Sequence, residues 1–85
     1  MRYFVRYDLK AEKQLEKLPK EISQRIIRKI RNVAETGRGI ESLKDEAYGF
    51  KIRVGNYRIL IDLCSNPNEI IVRYIGLRGK VYKRI

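Results

Sequence analysis

From Ala11 onward the apolar residues Ala11, Leu15, Leu18, Ile22, Ile26, Ile30 and Val33 recur at spacings of 4, 3, 4, 4, 4 and 3, the stripe of an amphipathic helix. Pro19 interrupts that stripe. Proline disfavours helical geometry at the preceding Leu18 but suits the first turn of a new helix. The pattern therefore predicts two helices packed as a hairpin, over roughly 9–18 and 20–35, with Asp8 standing at the first N-cap and Gly37 as the stop. The charged residues fall on the polar side, where Glu21 and Arg25, four apart, suit a modest surface ion pair. Ahead of the helices, residues 2–7 alternate weakly and hold Tyr3, Phe4, Val5 and Tyr7, which reads as an opening strand.

After the helices the period changes from helical to alternating. Residues 37–49 carry two glycines at one end and one at the other and read as a loop, with Leu43 its anchor into the core. Phe50 to Val54 and Tyr57 to Cys64 then read as strands joined by a Gly55-Asn56 turn, because glycine tolerates the positive φ of a tight hairpin. Alternation places Phe50, Ile52 and Val54 on one face and Lys51 and Arg53 on the other. With this turn Val54 pairs with Tyr57 and Arg53 with Arg58, so three cations share one patch. Like charges set opposite each other cost up to ~1 kcal/mol, an expense a bound polyanion would recover. The plainer reading is a solvated face in a basic chain. Ser65-Asn66-Pro67-Asn68 is a turn by composition, and Glu69 to Leu77 form a last strand. The final two strands are apolar almost continuously, which places them centrally in the sheet. A short basic tail with one aromatic, residues 78–85, ends the chain.

The expected architecture is α+β: an N-terminal strand, a two-helix hairpin, then an antiparallel three-stranded meander, with both helices on one face of the sheet. Eighty-five residues make one domain spanning 1–85. The composition, 44% hydrophobic with two prolines, argues against disorder, and no apolar run approaches the roughly 18 residues of a membrane span. Met1-Arg2-Tyr3 leads straight into a strand, which reads as no signal peptide and a cytoplasmic protein. The single cysteine, Cys64, cannot form an internal disulfide and reads as a small buried hydrophobe.

Charge narrows the chemistry further. Twenty Lys and Arg against ten Asp and Glu give +10, unevenly distributed. Residues 1–48 hold twelve cations and eight anions, whereas residues 49–85 hold eight cations and only Asp62 and Glu69. The second half suits phosphates and lacks the carboxylates of a two-metal nuclease. With no histidine in the chain, the commonest metal ligand and general base is missing too, so neither a metal nor a cofactor is expected.

Three stretches resemble the RelE/ParE toxin superfamily of bacterial and archaeal toxin–antitoxin modules: the run from Tyr48 through Phe50-Lys51-Ile52-Arg53-Val54-Gly55-Asn56-Tyr57-Arg58-Ile59, the ending Ile75-Gly76-Leu77-Arg78-Gly79-Lys80-Val81-Tyr82-Lys83, and the break Lys17-Leu18-Pro19-Lys20. The RelE-like branch cleaves messenger RNA in the ribosomal A site, and the ParE-like branch poisons DNA gyrase. The resemblance implies five catalytic positions: Lys51 and Arg53 before the hairpin turn, Arg58 after it, Arg78 beyond the last strand, and Tyr82 in the tail. Leu77 stands where many relatives have histidine, which removes a histidine base. The implied reaction is attack of the ribose 2′-hydroxyl on the adjacent phosphorus, giving a 2′,3′-cyclic phosphate and a 5′-hydroxyl. Arg53 and Arg58 would clamp the phosphorane, Tyr82 or Lys51 would take the proton, and Arg78 would stabilise the leaving oxygen. Arg73, Lys80, Lys83 and Arg84 suit RNA phosphates. Tyr48 and Tyr57 read as packing residues able to stack on a base. Implied partners are the ribosome, messenger RNA and an acidic RelB-like antitoxin, in a heterotetramer. A gyrase inhibitor and a non-catalytic RNA-binding module are the competing readings, and the filled five-residue set favours the nuclease.

Overall fold

The computed structural model describes residues 2–43 and 49–77. Strand β1 (Phe4–Tyr7) is followed by helices α1 (Leu9–Glu16) and α2 (Lys20–Thr36), then by strands β2 (Ile40–Ser42), β3 (Phe50–Val54), β4 (Tyr57–Cys64) and β5 (Glu69–Leu77). The strands form one sheet in the order β1–β5–β4–β3–β2, in which β1 runs parallel to β5 and every other pair is antiparallel. The expected α+β meander is present. The sheet is wider than expected at both edges, since β1 joins it beside β5 and Ile40–Ser42, read as loop, adds β2.

The helical stripe does what its spacing requires. Ala11, Ile26, Ile30 and Val33 are buried, with Leu15, Leu18 and Ile22 packed against them. From the sheet they meet Ile52, Val54, Ile59, Ile61, Ile70, Val72 and Ile75. Pro19 takes the N-cap position of α2, and Gly37 closes that helix at φ 74° with its N–H donating to the Val33 carbonyl at 2.7 Å, a left-handed stop that glycine adopts without strain. On the outward flank of β1, burial pushes the Tyr7 hydroxyl above its ordinary pKa, and nearby Arg31 pulls it partly back.

Some local expectations fail for identifiable reasons. Asp8 sits at the N-cap of α1, but its side chain makes no capping bond because Arg73 claims it. Cys64 is exposed rather than buried, since it lies at the frayed end of β4 beside the turn. Leu43 is not among the side chains packed on the core; its N–H instead donates to the Gly49 carbonyl at 2.9 Å. No ion pair joins Glu21 to Arg25 among the described residues, and Arg25 lies near the hairpin turn, 3.5 Å from where a side chain at Gly55 would begin.

Strands β4 and β5 are central, as their apolar runs predict, and are buried on both faces over part of their length. Leu60 and Ile71 are 0% and 4% exposed although they lie outside the cluster beneath the helices. One irregularity shapes the open face. Tyr74 pairs with Leu60 and Val72 with Ile61, so Arg73 has no opposite number in β4. A bulge of this kind lets two consecutive residues turn to one side. Here Arg73 and Tyr74 turn away from the helices while Val72 and Ile75 stay in the core.

Candidate nucleic-acid interface

The face of the sheet opposite the helices holds the candidate site, and the hairpin builds it. Gly55 takes φ 56° in the two-residue turn, and the register that follows sets Arg53 against Arg58 and Val54 against Tyr57. Because Ile52, Val54 and Ile59 point into the core, Lys51, Arg53 and Arg58 must point out of it. Arg53 is exposed and Arg58 half-buried. Directly beyond Arg58, on β5, stands Gly76, which contributes no side chain to that row.

Lys51 is less open than the pattern suggests. It is 13% exposed, and its Nζ lies 3.7 Å from Oε1 of Glu41, which β2 places opposite it in register. Sequence reasoning could not find this carboxylate, because a three-residue edge strand among glycines carries no periodicity.

Arg73 is committed to the protein itself. Its Nε donates to Asp62 Oδ2 at 2.8 Å and its Nη1 to Asp8 Oδ2 at 2.7 Å. These hydrogen bonds, Asp8's the larger, raise its pKa above the ordinary guanidinium value. The other Asp62 oxygen accepts a long bond from the Gly49 N–H at 3.4 Å, just ahead of β3. One guanidinium thus joins the β1–α1 junction, β4 and β5, and Asp62 extends the chain of bonds to β3. Arg73 is therefore placed to hold the open face in shape, and its donors face carboxylates rather than a free phosphate. The expectation that Arg73 binds phosphate meets this competition.

Two further contacts come from α1. Gln14 Oε1 accepts the Ile75 N–H at 2.8 Å, satisfying a β5 donor that lies beyond the end of β1 pairing. Lys10 Nζ sits 5.0 Å from the centre of the Tyr74 ring. Tyr57 packs against the core, so it is no base platform. Arg78, Lys80, Tyr82, Lys83 and Arg84, together with Tyr48, lie outside the described residues. Among the described residues no cluster of three or more His, Cys, Asp or Glu could hold a metal ion, and no helix is long and apolar enough to cross a membrane.

A five-stranded sheet with two helices on one face and arginines on the other defines a small α+β domain of the RelE-like class. The structure superposes on the toxin–antitoxin complex RelBE2 from Mycobacterium tuberculosis with a TM-score of 0.80, at 25% identity over 92% of this chain and 100% of that one. It is similar to the isolated RelE toxin of E. coli, with a TM-score of 0.74 and 25% identity over 96% of this chain and 93% of that one. It is also similar to the RelB–RelE antitoxin–toxin complex of Methanococcus jannaschii, with a TM-score of 0.70 and 26% identity over 94% and 98% of the two chains. No curated protein sequence matches. The model of the ParE toxin of type II toxin–antitoxin systems matches residues 5–82, and the chain belongs to that family, within the RelE/ParE toxin superfamily.

Proposed function

We propose that this toxin is a ribosome-dependent endoribonuclease that cleaves messenger RNA in the A site and so blocks translation in the cytoplasm. The observation that carries the reading is the in-register pair Arg53 and Arg58 on the open face. A fold gains nothing from two cations held opposite each other, whereas a phosphorane flanked by both gains a preorganised clamp. The 2′-oxygen forms its bond to phosphorus as the bond to the 5′-oxygen breaks. Lys51, already engaged by Glu41, acts as a fixed charge, and removal of the 2′-hydroxyl proton falls to Tyr82. Arg78 stabilises the departing 5′-oxygen, and Lys80, Lys83 and Arg84 bind ribosomal RNA phosphates. The likeness to RelB–RelE complexes supports an acidic antitoxin as neutralising partner, in a heterotetramer. The match to the ParE family model favours a second reading, inhibition of DNA gyrase.

Primer extension on a programmed ribosome tests the first reading. Cuts within the A-site codon are expected from the wild type, with Arg58→Ala slower by on the order of 10²–10³ and Tyr82→Phe impaired. Absence of cuts from folded wild-type protein would overturn it, and loss of gyrase supercoiling activity on adding the protein would then support the second.

A further inference from the structure

Four tyrosines lie among the described residues. Tyr3, Tyr7 and Tyr57 pack against the core, and Tyr74 does not. The bulge in β5 turns it to the open face, level with Leu60 and one step along that face from the row of Arg53, Arg58 and Gly76. Residues on such a cross-strand diagonal are within reach of one another when one of them is aromatic or long. Gly76 leaves the sheet surface between ring and guanidinium clear of any side chain. The only cation held at the ring among the described residues is Lys10, whose ammonium rides on a flexible stem at an exposed helical position.

We infer that Tyr74 is a stacking platform for one unpaired base of single-stranded RNA, adjoining the phosphate clamp. A single nucleotide then lies across the sheet with its phosphate on the arginines and its base on the ring. A cation–π contact at an exposed site is weaker than a base–aromatic stack, so the base displaces Lys10. The freed ammonium turns to the nucleotide's phosphate. Stacking requires only a π-face, so Tyr74 accepts any base and favours the larger purines. This inference rests on the RNA reading above, and it assigns no proton transfer to Tyr74.

The test compares two non-cleavable single strands of equal charge, a 2′-O-methyl oligoadenylate and an abasic strand of the same length, by fluorescence anisotropy. Wild type is expected to bind the oligoadenylate roughly ten-fold more tightly, the size of one lost stack. Tyr74→Leu should bind both strands equally, with abasic affinity unchanged and an unaltered melting temperature, while Tyr74→Phe keeps the preference. A Tyr74→Leu protein that still prefers the oligoadenylate would overturn the platform while leaving the RNA reading intact. Failure of the wild type to bind either strand would overturn both. A loss of affinity in Tyr74→Leu that is equal for the two strands would show a charge or folding effect and also overturn the platform.

Discussion

Arg53 and Arg58 face each other across a two-residue turn, and Arg53 is the more exposed of the two. Replacing Arg53 by threonine, a good strand former, removes the repulsion without opening a cavity. The Arg53→Thr protein is expected to be more stable than wild type by up to ~1 kcal/mol in urea unfolding, and to lose cleavage. A variant less stable than wild type would mean that Arg53 makes a favourable contact in the folded state. This pair was legible from the amino-acid sequence because Gly-Asn fixes the turn, and the turn fixes the register. Asp8 was legible only in part. Its place before a helix is a local signal, but its side-chain partner is 65 residues away in the chain, and a charge-assisted bond outcompetes a helix cap.

The elements most dependent on long-range pairing were the hardest to foresee. Strand β2 is three residues long, and its pairing with β3 is what brings Glu41 to Lys51. The bulge in β5 defeats a period-two reading, which is why Tyr74 went unnoticed as a face residue. The same bulge aims Arg73 at Asp8 and Asp62, tying together elements that a hairpin alone would leave independent. All three side chains are about one-third exposed, at 36%, 35% and 34%, so solvent screening reduces what each bond contributes. Arg73→Gln is expected to cost ~1–2 kcal/mol, read as a lower urea midpoint with unchanged slope. In an Asp8→Asn background the same change should cost less, because one of the two bonds is already gone. Equal losses in both backgrounds would mean that the Asp8 bond contributes nothing.

For the whole molecule the governing quantity is a net charge of +10 on 85 residues. The described ion pairs draw on five acids, Glu35, Glu69, Glu41, Asp8 and Asp62, and most of the cations are left facing water or one another. Self-repulsion of this kind weakens the compact state and is screened over a Debye length of about 8 Å at physiological ionic strength. Thermal unfolding at neutral pH should therefore move to higher temperature as sodium chloride rises from ~0.01 M to ~0.15 M. A melting temperature that falls over that range would show that the ion pairs outweigh the repulsion.

The parallel pairing of β1 with β5 also sets the order in which the protein can come into being. The first strand to leave the ribosome finds its only sheet partner among residues 69–77, near the end of the chain. Until then the edge of β1 is open, and β4 lacks the neighbour that completes its ladder. Contacts so distant in sequence form late and at an entropic cost. A nascent chain is therefore without its finished sheet, and without the face that carries Tyr74 beside the arginines, for nearly the whole of its synthesis. A protein that acts on ribosomes would thus be inert towards the ribosome that is making it.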